Sequence, residues 1–344
     1  SFIAYVALLN NTDAVLLTPT QILAKQHYES LQPIFEKLAI RTQLVLGTTG
    51  PNSRPANQEQ PTFYIGTHAL LKDRFTPSIV VIDEEHRFGV EQREFFSHHP
   101  HQFSLTATPI PRTVAQTVLS NLEVSTLQRL PGREPNLDTV RIKETKREEM
   151  YEAIHDQLTQ NQHAQLLVVC PFVEQSDHDA FSQVKSAEQE FKRIQKRFSV
   201  FETRLIHGRT PMNQRSATLE EMANGTARIM VSTPVIEVGV DLPLASIMII
   251  ENPERFGLAQ LHQLRGRIGR RGQHSTCYLV GSTGSPEAEE RLSVFCSTLD
   301  GTILAEHDLR TRGGGEIFGT AQSGYSKTLQ YVVEGKLDHV LDKL

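Results

Sequence analysis

Three acidic residues follow a short apolar run, and their types and order suit metal and phosphoryl chemistry. The run Ile79–Ile82 is apolar throughout and leads directly into Asp83, Glu84, Glu85 and then His86. A buried strand ending in carboxylates delivers the oxygen ligands that a hard cation such as Mg²⁺ prefers. Asp83 could hold this ion directly or through water, and Glu84 could orient or deprotonate an attacking water. The alternative is a strand followed by a solvated acidic turn.

A second segment is rich in arginine. From Arg255 to Gln273 there are five arginines and no acidic residue, and three of the five lie in the run Gln263-Leu-Arg-Gly-Arg-Ile-Gly-Arg270. The spacing of Arg267 and Arg270 predicts that both lie on one face of a helix. Two guanidinium groups on one face suit the stabilisation of a phosphoryl group, the role of an arginine finger. The alternative is a solvated basic face.

Two further segments combine small, polar and glycine residues at the ends of apolar runs. In the first, Thr106 and Thr108 flank an alanine ahead of two prolines and Arg112. Their hydroxyls could bridge a neighbouring carboxylate, or they could cap a helix beside a proline-rich loop.

The other polar segment begins at Thr233 and ends at Pro243. Thr233 could contact a nucleic-acid phosphate, Gly239 would allow close backbone approach, and Asp241 could bind a ribose or an arginine. A simple capped turn is the alternative.

The elements that must position these residues alternate between short β-branched runs and longer amphipathic stretches. Strands are predicted at Val15–Thr18, Phe63–Ile65, Ile79–Asp83, Phe103–Thr106, Gln165–Cys170, Thr203–His207, Ala227–Ser232, Ser246–Glu251 and Ser275–Val280. Helices are predicted at Gln21–Lys37, Val90–Ser97, Glu144–Asn161 and Val184–Phe201. This alternation predicts parallel sheets wound by helical crossovers. Because ligands of such sheets bind outside the carboxyl ends of the strands, the chemistry is expected directly after the strands.

The domain organisation follows from one cluster of breakers. Leu130-Pro-Gly-Arg-Glu-Pro135 predicts a linker. We therefore expect an α/β domain at residues 1–132, a second at 133–281, and a mainly helical extension at 282–344. The 344 residues are sufficient for two domains of ordinary size.

Composition excludes several classes of protein. No run approaches the roughly 18 apolar residues of a membrane-spanning helix, so no membrane partner is expected. The three cysteines are widely spaced and form no C-x-x-C pair, which argues against structural zinc and against a disulfide framework. We expect buried thiols in a reducing, cytoplasmic setting. With a net charge of -5, any nucleic-acid site must be a local patch.

As a set, these segments resemble motifs II, III, V and VI of the superfamily-two helicases and translocases. The motifs read D-E-E-H, T-A-T-P-I-P-R-T, T-P-V-I-E-V-G-V-D and Q-L-R-G-R-I-G-R, in this order and at domain-sized spacing. The chain more closely resembles the RecG family of branch-migration helicases. The supporting stretches are Leu17–His27, Ile65–Leu71, Val169–Ser176, Leu205–Arg209 and Asp308–Gly324, the last similar to a translocation motif that RecG shares with the repair translocase Mfd.

The resemblance implies two RecA-like domains that clamp ATP between them, with ATP and Mg²⁺ as cofactors. Asp83 and Glu84 would serve the metal and the attacking water. The residues implied to contact the nucleotide from elsewhere are Gly239, Asp241, Gln263, Arg267 and Arg270. The residues implied to contact DNA, or to couple it to hydrolysis, are Pro19, Thr20, Thr67, His68, His86, Thr106, Thr108, Arg112, Thr233, Arg310, Arg312 and Gly313. The implied partners are branched or forked double-stranded DNA and a single-strand-binding protein, and the implied oligomeric state is a monomer.

The sequence departs from the resemblance at one important point. It contains no G-x-x-x-x-G-K-[ST] phosphate-binding loop, which relatives carry just before a helix that matches Ser1–Asn10. We therefore expect that the chain begins after this loop and after the family's N-terminal wedge domain, and that it binds ATP weakly with little or no hydrolysis.

Smaller departures lie in the tail. His307 and Ala321 stand where relatives tend to have arginine, and Gly314 where they tend to have proline. Two alternative hypotheses for the function remain: an Mfd-like duplex DNA translocase, and a non-catalytic DNA-binding remnant.

Overall fold

The computed structural model describes residues 1–47, 60–72, 77–88, 101–106, 123–125, 127, 136–171, 179–234, 242–281 and 284–312. These form two compact units: the first covers the described residues up to Thr106, and the second covers those from Glu123 onward. Each unit is an α/β fold around one parallel sheet, as predicted. The predicted linker, the boundary at residue 132 and the helix predicted at 90–97 lie outside the described residues.

The first unit carries a five-stranded sheet in the order β2-β3-β1-β4-β5. Its elements in chain order are α1 (Phe2–Leu9), β1 (Ala14–Leu17), α2 (Gln21–Lys37), β2 (Arg41–Val45), β3 (Thr62–Gly66), β4 (Ile79–Asp83) and β5 (His101–Leu105). Every neighbouring pair runs parallel. Thr20 caps the start of helix α2: its hydroxyl accepts a hydrogen bond from the backbone N–H of Leu23, as is typical of threonine at this position.

Both faces of this sheet are covered, as a parallel sheet requires. Leu16 and Ile65 lie on the face covered by α1 and α2, where the ring of Phe35 packs 4.9 Å from that of Phe63. The next residue along β1, Leu17, lies in a separate cluster on the other face. The central strands of this sheet are therefore continuous runs of mostly apolar residues and do not alternate between apolar and polar residues.

The second unit carries a six-stranded sheet in the order β6-β11-β10-β7-β9-β8, again parallel throughout. Its strands are β6 (Leu137–Ile142), β7 (Gln165–Val169), β8 (Thr203–Ile206), β9 (Ile229–Ser232), β10 (Ala245–Glu251) and β11 (Ser275–Val280). Its helices are α3 (Arg147–Gln160), α4 (Asp179–Arg197), α5 (Met212–Ala223), α6 (Leu258–Arg265), α7 (Pro286–Ser297) and α8 (Gly301–Arg312).

The core of the second unit lies between its sheet and helices α3 and α4. Ile154 and Phe198 are fully buried there against the central strands, and Tyr151 meets Phe198 edge to face. Helices α7 and α8, the described part of the predicted extension, pack against α6, and α7 also contacts β6. The described part of the extension is helical as predicted, and these two helices belong to the second compact unit.

Every strand predicted from the sequence is present, but β2 and β6 were missed, as was helix α5. Both missed strands lie at an edge of their sheet, and three of the residues in each are polar. Among the described helices, none combines the length and apolar character needed to cross a membrane. All three cysteines are free thiols, with Cys170 and Cys277 buried.

Candidate functional site

The residues singled out in the first unit gather at the carboxyl edge of its sheet. Strand β1 connects toward β2 on one side, whereas its neighbour β4 connects toward β5 on the other. The carboxyl ends of β1 and β4 therefore form the topological switch point, where α/β sheets leave a crevice for ligands. Asp83 ends β4, and Pro19 and Thr20 follow β1 at this crevice.

Asp83 is held by a hydrogen bond from another element. Its Oδ2 lies 3.1 Å from Nε2 of His27 on α2. The two side chains are 20% and 33% exposed, so the carboxylate is accessible but not free to rotate. His27 ends the motif-like stretch Leu17–His27, but no role was predicted for it from the sequence. The sequence did offer a pattern that could have indicated this pair. Asp83 ends a predicted strand, and His27 lies two helical turns after the helix cap Thr20.

Glu84 occupies a sharp turn directly after the strand. Its backbone adopts φ 52° and ψ 51°, in the left-handed region that non-glycine residues rarely enter. The backbone N–H of Glu84 donates to Leu105 O at the end of β5, at 2.9 Å. Such strained residues are concentrated at functional sites. The turn holds Glu84 beside Asp83 at the mouth of the crevice.

The residues implied to contact nucleic acid in this unit lie along the same edge with different exposures. Pro19 and Thr20 are half-buried, His68 and Thr106 are exposed, and Thr67 is only 1% exposed. The hydroxyl of Thr67 meets no hydrogen-bond partner among the described residues.

The arginine-rich segment of the second unit is not a continuous helix. Helix α6 ends at Arg265, and Gly269 follows in the left-handed conformation at φ 75°. The prediction that Arg267 and Arg270 share one helical face is therefore wrong, because the chain turns between them. Arg267 is buried at 7% exposure, whereas Arg270 is exposed and donates from Nε to Gly266 O at 3.2 Å. Gln263 is half-buried on α6 itself.

The position of this turn also differs from the expectation that the functional residues lie directly after the carboxyl ends of strands. The N–H of Gly269 donates to the carbonyl of Ala245, the first residue of β10, at 3.0 Å. Because α6 runs back from the carboxyl end of β10, its own end returns to the amino edge of the sheet. Arg267 and Arg270 follow this helix and not a strand.

Arg265 anchors the helical extension. Its guanidinium donates to the carbonyls of Phe295 at 2.7 Å and Thr298 at 2.8 Å, and lies 4.0 Å from the centre of the Phe295 ring. The side chain is 2% exposed. Its role is therefore to fasten α7 to the arginine-bearing turn.

Several predicted site residues lie outside the described part of the chain. These are Thr108, Arg112, Gly239, Asp241 and Gly313, and the side chains of His86 and Arg312. Thr233 follows β9 at 2% exposure, and its hydroxyl has no hydrogen-bond partner among the described residues. Arg310 is exposed on α8.

Sequence reasoning missed a buried ionic cluster at the carboxyl end of β10. Glu251 ends this strand and accepts from both terminal nitrogens of Arg147, at 2.5 Å and 2.9 Å. Arg193 lies 3.5 Å from Glu251 and 2.6 Å from Glu190. The ends of β7 and β10 are the switch point of this second sheet, so the protein's own ion pairs lie where other sheets bind ligands. The sequence pattern that could have indicated this cluster is a carboxylate, Glu251, at the end of an apolar run, the same pattern as for Asp83.

The cluster shifts the pKa values of its members. Burial alone would lower the pKa of Arg147, but hydrogen bonds to Glu251 and Glu144 outweigh this and raise it. Burial, and then the Glu251 charge, raise the pKa of Glu190. Burial also raises the pKa of Tyr151 to about 12. Arg147 and Arg193 are therefore permanently charged here.

The donor set in the first unit fits a magnesium ion only with help from a ligand. Among the residues that the structure describes, no group of three or more His, Cys, Asp and Glu side chains could hold a metal ion. Mg²⁺ is commonly bound through one or two carboxylates, with substrate phosphates and waters completing its shell. Asp83 and Glu84 supply such carboxylates at a crevice suited to phosphates.

Comparison with protein families adds two matches. Residues 2–117 match the DEAD/DEAH box helicase family, and residues 146–272 match the helicase conserved C-terminal domain. The first match includes Asp83 and Glu84, and the second includes Gln263, Arg267 and Arg270.

Several relatives share the name of one kind of enzyme. An ATP-dependent DNA helicase RecG from Synechocystis is 42% identical over 94% of this chain and 40% of that protein. Another from Thermotoga maritima is 39% identical over 94% of this chain and 43% of that protein. A solved structure of RecG bound to a three-way DNA junction has a TM-score of 0.73 and 35% identity, over 98% of this chain and 45% of that one. The chain thus spans less than half the length of these relatives.

Proposed function

Because this chain is a homologue of the RecG helicases and carries both conserved helicase domains, we propose that it is the motor portion of an ATP-dependent DNA helicase. The proposed reaction is hydrolysis of ATP coupled to movement along DNA. The observation that carries the proposal is the placement of Asp83 and Glu84 at the switch-point crevice of the first sheet.

The proposed chemistry at the first unit uses two carboxylates in different roles. Asp83 would hold Mg²⁺, whose charge neutralises the phosphate oxygens of bound ATP. Glu84, turned by its left-handed backbone, would orient the attacking water and accept its proton. Gly239 and Asp241 would add contacts to the nucleotide.

The proposed contribution of the second unit is positive charge. Arg267 and Arg270 would contact the γ-phosphate and stabilise the charge that develops on it, and Gln263 would help to orient it. The buried Arg267 is the better candidate for the main charge, because a desolvated guanidinium interacts more strongly than an exposed one.

The proposed partner is branched or forked double-stranded DNA. One relative was solved on a three-way DNA junction, which supports a branched substrate for this chain. Pro19, Thr20, Thr67, His68, His86, Thr106, Thr108, Arg112 and Thr233 are proposed to contact this DNA or couple it to hydrolysis, and Arg310, Arg312 and Gly313 to drive translocation. We also propose a monomer that works beside a single-strand-binding protein in the cytoplasm.

Two alternatives make different predictions. An Mfd-like duplex translocase would use the same nucleotide chemistry without a preference for forks. A non-catalytic DNA-binding remnant would retain the fold without hydrolysis. The proximity of Asp83, Glu84 and their supporting contacts favours an active motor over a remnant.

Hydrolysis by the 344 residues alone is proposed to be weak. They contain no Walker A sequence, so the lysine and backbone amides that cradle the β- and γ-phosphates in P-loop enzymes have no counterpart here. A chimaera with the phosphate loop of a RecG relative ahead of Ser1 should be much more active.

The test is ATP hydrolysis by the chain and by this chimaera, with and without forked DNA. We expect fork-stimulated hydrolysis in the chimaera, and loss of about 10³-fold in its Arg267→Ala variant. Arg271→Ala, at an exposed neighbouring arginine, is the matched control and should retain activity. Hydrolysis that is absent from the chimaera would favour the remnant, and equal stimulation by linear duplex would favour the Mfd-like translocase.

A further inference from the structure

His27 lies on helix α2, yet it contacts the carboxylate that ends strand β4. Its Nε2 is 3.1 Å from Oδ2 of Asp83, across 56 residues of sequence. An ionised carboxylate has no hydrogen to donate, so the imidazole must be the donor. The neutral ring that makes this bond therefore carries its hydrogen on Nε2.

The helix that carries His27 is fixed at its start to the ends of two strands. The hydroxyl of Thr18 donates to the carbonyl of Thr20 at 3.0 Å and lies 3.3 Å from that of Gly66 at the end of β3. The Thr20 hydroxyl then caps the helix through Leu23 N–H. Along its length, α2 buries Leu23, Ala24 and Phe35 against the sheet. His27 is thus presented to Asp83 by a rigid support.

Such a bond has a specific consequence for a carboxylate at a strand end. Without a partner, the carboxylate can rotate about its last side-chain bond and offer either oxygen. With Oδ2 held by His27, Oδ1 is the oxygen left for another ligand. Groups that orient metal-binding side chains in this way typically change metal affinity by about 10- to 100-fold when they are removed.

A role in stability alone accounts for the pair less well. Both side chains are partly exposed, and solvent-accessible polar pairs of this kind contribute little to folding. A role of His27 as a metal ligand through Nε2 is also excluded in this arrangement, because that nitrogen carries the hydrogen donated to Oδ2.

We propose that His27 is a positioning residue for Asp83: it holds Oδ2 and leaves Oδ1 directed to the divalent cation. This inference rests on the proposed function, in which Asp83 binds that cation. It further implies that helix α2 links two sites: Thr20, a proposed DNA contact, caps its start, and His27 on the same helix contacts Asp83. A displacement of α2 at its DNA end would then reach the metal-binding carboxylate through His27.

The first test needs no metal. Nitrogen-15 NMR of the histidine rings should show His27 as the Nε2–H tautomer, and Asp83→Asn should change its ring signals. His274, whose Nε2 lies 2.9 Å from Asp138 Oδ2 in the second unit, is an internal reference that should not change. An unchanged His27 spectrum in Asp83→Asn would overturn the proposal.

The second test measures Mn²⁺ binding with ATP present, by electron paramagnetic resonance, in the chimaera that carries the phosphate loop of a RecG relative ahead of Ser1. We expect His27→Ala to weaken binding about 10- to 100-fold, and His27→Gln, whose amide nitrogen can replace Nε2, to restore most of it. The matched control His274→Ala removes a similar His–Asp pair and should bind as the wild type does. Circular dichroism melting confirms that each variant is folded.

The outcomes separate the two proposals. If Asp83→Asn weakens Mn²⁺ binding but His27→Ala does not, the metal site stands and the role of His27 is wrong. If neither Asp83→Asn nor His27→Ala changes binding, the proposed metal role of Asp83 fails as well. Equal weakening by His27→Ala and His27→Gln would also count against a hydrogen bond as the cause.

Discussion

Glu251 and Arg147 form a two-point hydrogen-bonded ion pair inside the second unit, although they are 104 residues apart in sequence. Each side chain is about 90% shielded from solvent. The pair joins the end of β10 to the first turn of α3. Its neighbours Glu144 and Arg193 complete a network in which both oxygens of Glu251 are engaged.

Removing one member of this pair should be costly. Arg147→Met leaves the Glu251 carboxylate buried without its main partner, and such a loss typically costs about 3–5 kcal/mol. The matched control is Arg141→Met, which breaks the more exposed pair with Glu289 and should cost about 1 kcal/mol or less. Urea unfolding of both variants provides the comparison. Equal losses would mean that burial of the Arg147 pair has no energetic significance.

The pH dependence of stability should reveal Glu190. Its pKa is raised above the ordinary value of 4.5 by burial and by the Glu251 charge, so ionisation of Glu190 opposes folding. The stability that depends on its protonated form is lost as pH rises through the raised pKa. Glu190→Gln removes this titration.

The variant should therefore gain stability relative to the wild type as pH rises from 4.5 toward 8. The pKa of Glu144 is lowered by its hydrogen bond with Arg147, so that residue changes the balance only below pH 4.5. Urea unfolding of both proteins across this range measures the difference, and a constant difference would contradict the assignment.

Gly66 should not tolerate a side chain. A Cβ at this position would lie 2.2 Å from the carbonyl oxygen of Val45 and 2.9 Å from Cδ1 of Leu70, and the first of these is backbone that cannot move aside. We expect Gly66→Ala to cost about 1–3 kcal/mol or more. Gly284→Ala, where a Cβ meets nothing within 4 Å, is the control. Thermal unfolding would contradict the expectation if the two variants melted together.

Arg265→Lys should loosen the helical extension while the sheet stays intact. A lysine cannot reproduce the two carbonyl contacts at Phe295 and Thr298 or the stacking on the Phe295 ring. We expect faster amide hydrogen exchange in Pro286–Ser297, corresponding to a local loss of about 2 kcal/mol. Exchange in the central strands β7 and β10 should not change. Faster exchange throughout the second unit would indicate a global effect instead.

The central strands and longer helices could be predicted because burial is visible in their residue types: the strands are apolar runs, and the helices have apolar residues at helical spacing. Ile79–Asp83 and Ser275–Val280 match the structure to the residue, as does the helix Gln21–Lys37. Strands β2 and β6 could not be recognised, because polar residues such as Arg41 and Asp138 leave no apolar run of strand length in either of them. Their assignment depends on a neighbour distant in sequence.

The site was predictable where one side chain follows one strand, and less so where its placement depends on tertiary contacts. Asp83 lies at the strand end that the apolar run predicts. The spacing of Arg267 and Arg270 wrongly predicted one shared helical face. Gly269 between them adopts a positive φ, which residue spacing alone does not reveal. His27 and the Arg147 network depend on elements that meet only in the folded chain.

The pairing of β6 with β11 has a consequence for the order in which the second unit is made. The first strand of this sheet, β6, has no partner until β11 is synthesised 138 residues later, since Leu137 pairs with Ser275. At typical ribosomal rates this delay lasts roughly 10 s. In the last part of this delay, once β10 has been synthesised, β10 has β7 on one side and an open hydrogen-bonding edge on the other. The nascent chain is then most exposed to pairing with a strand from another molecule, and the arrival of β11 ends that exposure.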